Sequence, residues 1–248
     1  MRLRAGLAAV LSCAASAHAA CPLDLPRDFG QGSLVIGRTG PGCSVTVDGR
    51  AVRVASDGRF VFGIARDARR VALATGDGTR VARAIAPRAY RVEHVDGVPP
   101  ATVAPPPAIA ARIAREQARV AKAREHDADR ADFGAGFVRP VAGRTSGVYG
   151  STRVLNGTPK DPHYGLDLAA PTGTLVRAPA AGVVTLAEKD LYLTGGTVLL
   201  DHGHGVSSVF LHLSRVDVAV GARVARGAPL GAVGATGRAS GPHLHWGL

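Results

Sequence analysis

Aromatic residues make up only 4% of this 248-residue chain, with one Trp, four Tyr and six Phe. Cores built almost without them must rest on Val, Leu, Ile and Ala. Long apolar runs are missing as well. None reaches the roughly 18–20 residues of a helical membrane span, which excludes a stable span of that kind. Cysteine is confined to positions 13, 21 and 43, too few for a thiolate zinc cage. Acidic residues are scarce beside basic ones, 19 against 30, leaving a formal charge of +11. The arginines are nevertheless dispersed, with no basic stripe interleaved with aromatics, so nucleic acid is not the expected partner. An anionic cell-wall polymer or membrane surface suits the charge better.

What is abundant points to β structure. Hydrophobic residues are 46% of the chain and charged residues 20%, which excludes a mainly disordered polypeptide. The 32 glycines favour tight turns over a helical bundle. The length allows one large or two small domains.

Residues 1–19 read as a secretory leader. Arg2 and Arg4 form the basic start, residues 5–17 are apolar but too short to span, and Ala17-His18-Ala19 is a small-x-small cleavage pattern near Ala19/Ala20. A lipoprotein would carry its lipid on Cys21, but His18 stands where an apolar residue belongs, so lipidation is not expected. The expected location is periplasmic or secreted. In an oxidising compartment Cys21 and Cys43 are candidates for one stabilising disulfide.

Three segments follow. Within 20–98, apolar runs at 34–36, 45–47, 52–54, 60–62, 71–73, 81–85 and 90–92 are separated by Asp48-Gly49, Asp57-Gly58 and Asp77-Gly78. These read as short strands joined by hairpin turns, a small β-sandwich without a His/Asp/Glu cluster. Residues 99–136 hold a proline-rich break and then a stretch, 108–132, without Gly or Pro. It reads as a helix whose thin apolar stripe (Ile109, Ile113, Val120) suits a solvated connector. From 137 to 248 glycine punctuation and β-branched runs return as a second all-β domain. It contains six of the nine histidines.

Three elements there carry the chemistry. In His163-Tyr-Gly-Leu-Asp167, Pro162 and Gly165 oppose a helix, and a fully extended strand would hold the two ends about 13 Å apart. A bend at Gly165 would close that gap; in isolation an ordinary loop histidine and turn aspartate is the simpler account. His243-Leu-His245 presents both rings on one face of a strand, as two ligands or as a ligand with a working neighbour. His212 lies between Leu211 and Leu213, and alternation puts it on a face with Phe210 and Ser214. A lone histidine so placed is usually a packing residue. His202 and His204, in Asp-His-Gly-His-Gly, sit on a glycine turn too poorly pre-organised for a site. Together the elements supply one Asp, four His and no thiol, which suits a catalytic zinc with an open position more than a closed structural one. Bound zinc lowers the pKa of its water toward about 7. Amide hydrolysis is the expected reaction.

These motifs resemble the LytM-type, lysostaphin-like peptidoglycan metalloendopeptidases of peptidase family M23. The resemblance covers roughly 137–248. It rests on His163-Tyr-Gly-Leu-Asp167-Leu-Ala-Ala-Pro-Thr-Gly-Thr, Ala178-Pro-Ala-Ala-Gly-Val-Val, Asp201-His-Gly-His-Gly, Leu211-His-Leu-Ser and Gly234-Ala-Thr-Gly-Arg-Ala-Ser-Gly-Pro-His-Leu-His245-Trp. It implies an antiparallel β-sheet with the metal in a loop-bounded groove. One Zn2+ would be held by His163, Asp167 and His245, with His212 and His243 as the catalytic pair in roles left open between them. The implied partner is the peptide part of peptidoglycan, with cell-wall regulators as further candidates. An Arg/Ala-rich composition tilts the expected bond from Gly-Gly bridges to D-Ala–diaminopimelate cross-links, a D,D-endopeptidase activity. Family members usually continue further past the last motif, whereas this chain stops three residues after His245. A short final strand that holds His245 less rigidly is therefore expected, unless the chain is a fragment.

Two other readings compete. LytM-type domains that lack the metal site activate separate cell-wall amidases; the presence of all five motif residues argues for catalysis. Residues 220–231 follow a lipoyl- or biotinyl-carrier turn pattern, but neither Lys160 nor Lys189 sits at a hairpin tip.

Overall fold

Alternating β-branched residues between glycine turns form the strands that dominate the regular structure of residues 20–248, which the computed structural model describes. The expected leader, 1–19, lies outside the described residues. Asp48 and Gly49, at φ 48° and 80°, join Val45–Val47 to Arg50–Val52 as a two-residue hairpin, as a turn with two positive φ values requires. With Arg70–Thr75 and Arg80–Ala84 this hairpin makes a four-stranded sheet. Leu34–Arg38 and Arg59–Gly63 form a two-stranded sheet, and both sheets share a core of Val35, Val45, Phe60, Phe62, Val71 and Leu73. Cys21 and Cys43 are joined as a disulfide.

The apolar run at 90–92 does not belong to this pair of sheets. Val92–Val95 instead runs parallel to Thr152–Leu155, which also pairs with Thr158–Lys160. A parallel partner must come from a distant part of the chain, so local pattern could not reveal it. This register sets Glu93 beside Arg153.

The expected helix is shorter than its composition suggests. It runs over Pro107–Arg124 with proline in its first turn. Beyond Arg124, tertiary contacts outweigh helix propensity: Asp127 pairs with Arg53, the Ala128 carbonyl accepts the His204 N–H, and Arg130 pairs with Asp201. Nor is the helix simply solvated. Val120 and Ala123 pack on Leu186, Leu199 and Val209, while Glu116 accepts the Tyr192 N–H at 2.8 Å and Arg119 meets Glu188 at 3.4 Å.

The last part of the chain is organised by a seven-stranded sheet. Its spatial order is Arg223–Val224, Gly182–Leu191, Gly195–Asp201, Ser207–Leu213, His243–Gly247, Leu166–Ala169 and Arg144–Gly147. All neighbouring pairs are antiparallel. One face buries Leu168, Val184, Val198, Leu200, Phe210 and Leu244 against Val176 and Leu230 of a smaller sheet. The helix covers part of the opposite face and leaves the rest as a groove of about 990 Å³. His243–Gly247, though short, is an interior strand bonded on both sides. It is therefore not a loose edge.

Candidate metal centre

The register brings the distant motifs together. Asp167 and His245 are direct cross-strand partners, so both side chains leave the sheet on one face, and alternation places His243 there too. His163 lies outside the strand Leu166–Ala169. Its N–H donates to Ser151 O at 2.8 Å and its carbonyl accepts the Gly150 N–H at 2.7 Å, which folds the ring back over Asp167. His163 Nε2 and His245 Nδ1 each lie 3.0 Å from Asp167 Oδ1 and 2.8 Å from one another. Gly165 makes room for this approach, because a Cβ there would stand 2.5 Å from the His245 ring. Gly165→Ala should therefore weaken metal affinity by about 10–100-fold, the range for disturbed ligand support, as read by competition with a chromophoric chelator.

The donor chemistry fits a bound cation. His163 Nδ1 lies 3.0 Å from Val148 O. A carbonyl only accepts, so Nδ1 bears the proton and Nε2 points a lone pair at the cluster. A buried lone pair aimed at a carboxylate oxygen is repulsive unless a positive charge sits between them. Edges near 3 Å also match a tetrahedral site with bonds of about 2 Å. Burial alone would raise the Asp167 carboxyl, but the His163 and His245 rings crowded against it outweigh burial and hold the group well below the usual carboxylate range. Burial likewise pushes His245 down. Among the described residues, His163, Asp167 and His245 form the one such cluster.

His212 departs from the expected alternation. Its φ is 64°, so the strand gains a local twist: Phe210 and Leu213 face the core while Leu211 and His212 both line the groove. It does not share a face with Phe210. Its ring stands 4.7 Å from that of His243 and 6.5 Å from that of His245. Nδ1 of His212 donates to Thr236 O at 2.8 Å and Nδ1 of His243 to Gly241 O at 2.9 Å, leaving both Nε2 atoms for chemistry. Burial, reinforced by His243, lowers His212 to about 3.

His202 and His204 stay out of the groove. His202 is fully buried between Ala181 O at 2.6 Å and Ser208 Oγ at 2.7 Å. His204 packs on Phe133, ring centroids 5.2 Å apart, with Nε2 3.5 Å from Asp129. One contributor escaped the sequence reading. Arg153 binds the second Asp167 oxygen, Oδ2, and lies 3.5 Å from Glu93. Only the parallel pairing described above assembles this trio, and no local motif signals it.

Three convergent N/O donors on a sheet, beside two oriented imidazoles in an open groove, define the class of metallohydrolases. Comparison with known proteins narrows the class. Residues 161–248 match the model of peptidase family M23. A crystal structure described as a putative peptidase M23 from Pseudomonas aeruginosa is 32% identical, covers 88% of each chain and superposes with a TM-score of 0.67. The DD-carboxypeptidase/endopeptidase Mpg of Neisseria meningitidis serogroup B is 47% identical over 85 residues, 34% of this chain and 19% of the relative. The peptidoglycan DD-endopeptidase ShyA of Vibrio cholerae is 42% identical over 87 residues, 35% and 20% respectively. The chain belongs to peptidase family M23. It spans about a fifth of the length of these curated relatives.

Proposed function

We propose that this protein is an exported zinc metalloendopeptidase that hydrolyses peptide cross-links of peptidoglycan, of the D,D type. His163, Asp167 and His245 would hold the ion, and His212 and His243 would serve as the catalytic pair. The observation that carries this reading is the donor triangle with edges of 2.8 and 3.0 Å. The names of the relatives support the substrate class. Export is supported by the leader-like residues 1–19 and the Cys21–Cys43 disulfide.

Zinc, when bound, supplies Lewis acidity that acidifies a water and polarises the amide carbonyl. The remaining work falls to the protein. Arg153 neutralises and orients the outer Asp167 oxygen, so that Oδ1 would be the atom left to hold the ion. Val148, Thr236 and Gly241 fix three imidazole tautomers through their carbonyls. With both Nδ1–H groups tied to backbone, proton traffic at His212 and His243 must pass through Nε2. One ring takes a proton from the attacking water and returns it to the leaving nitrogen. The other, when doubly protonated as an imidazolium, donates Nε2–H to the developing oxyanion.

The test is metal content and turnover of a cross-linked muropeptide dimer. Protein purified with about one zinc per chain should lose cleavage in chelator and regain it with added zinc, and mass spectrometry should locate the cut at the D-Ala–diaminopimelate bond. Zinc-free protein that cleaves nothing yet stimulates a separate amidase would favour the regulator instead.

A further inference from the structure

Five cationic side chains line the groove, and two of them are already engaged. Arg153 serves Asp167 and Glu93, and Lys160 donates to Val103 O at 2.7 Å. Arg91 and Arg144 are exposed at the rim. Arg238 differs from all of these. It is partly buried, its guanidinium has one hydrogen bond, Nη1 to Thr102 O at 3.2 Å, and it pairs with no carboxylate among the described residues. Desolvation, and then the charge of Arg153, press its pKa down, against an opposing pull from Asp161. A partly desolvated guanidinium with a neutral partner is a site that gains from an anionic ligand.

Its position is also tied to the reacting groups. Arg238 lies on the loop whose Thr236 and Gly241 carbonyls orient His212 and His243. That loop has little freedom: the Arg238 N–H donates to Leu193 O at 2.8 Å. Gly237, at φ 71°, packs so closely that a Cβ would meet Gly195 N at 2.5 Å. Arg238 is therefore held on the same backbone segment that orients both imidazoles. In a D-Ala–diaminopimelate cross-link, the carbon bearing the scissile nitrogen also carries a carboxylate. A glycine bridge has no such group at the bond that is cut.

We propose that Arg238 binds the carboxylate flanking the scissile amide, and so makes the groove select acidic cross-links over glycine-type or amidated ones; the inference rests on the endopeptidase reading above. Binding and cleavage test it separately. Calorimetry would use zinc-loaded protein and the product stem peptide, with the carboxylate beside the formerly cross-linked nitrogen either free or amidated. The free acid should bind at least about tenfold more tightly, the scale of one charge-assisted hydrogen bond. Arg238→Gln should bring that ratio close to one and Arg238→Lys should retain part of it, with zinc content and circular dichroism unchanged. The kcat/KM ratio for the two forms of the dimer should collapse in parallel. Equal binding of both stems by the unaltered protein overturns the proposal, and this arm needs no variant to fold. So does a ratio that survives Arg238→Gln, or equal weakening of both forms, which would mark a structural role through Thr102. Acid-selective binding without any cleavage would instead defeat the endopeptidase reading and leave the Arg238 assignment standing.

Discussion

His245→Ala should abolish zinc retention and, with it, all cross-link cleavage. His245 contributes one of three donors, and its Nδ1 is the atom closest to His163 Nε2, at 2.8 Å. Removing it leaves two donors and opens the cluster to water, so affinity should fall by more than the ~100-fold typical of losing an outer partner. The fold should persist. Leu244 and Trp246 keep their places against the core, and the strand remains bonded on both sides. Metal analysis after dialysis, with circular dichroism as the control for folding, reads both. Zinc retained at one per chain in the variant would remove His245 from the ligand set.

His212→Ala should have the opposite signature: zinc and fold kept, turnover lost. The His212 ring lies beside His243, with no donor atom in the His163–Asp167–His245 cluster. Its loss should cost about 10²–10⁴-fold in kcat, the usual contribution of a positioned acid or base, with little change in zinc content. Steady-state kinetics on the muropeptide dimer, set beside metal analysis, separates this outcome from that of His245→Ala. Cleavage at the undiminished rate would show that His212 only packs, which is the simplest reading of its place between two leucines.

Much of the architecture was legible without coordinates. The Asp48-Gly49 and Asp77-Gly78 hairpins announced themselves, since turn chemistry is local. His243-Leu-His245 could be placed on one strand face by period-2 alternation alone. The helix was visible in composition, but its end was not, because Asp127 and Arg130 find distant partners after Arg124. His212 defeated the alternation argument for a different reason: one residue at φ 64° changes which side chains share a face, and nothing in Leu-His-Leu requires it.

Residue types and short spacings determined that this chain would be mainly β, and they supplied imidazoles and a carboxylate without thiols. Those properties follow from steric preferences and donor chemistry that each residue carries with it. The tertiary structure decided which donors meet. Asp167 reaches His245 through antiparallel register across 78 positions, and Glu93 meets Arg153 through a parallel strand pair. Such contacts depend on long-range hydrogen-bond register and on the space that Gly165 leaves open, and these arise only when the whole sheet assembles.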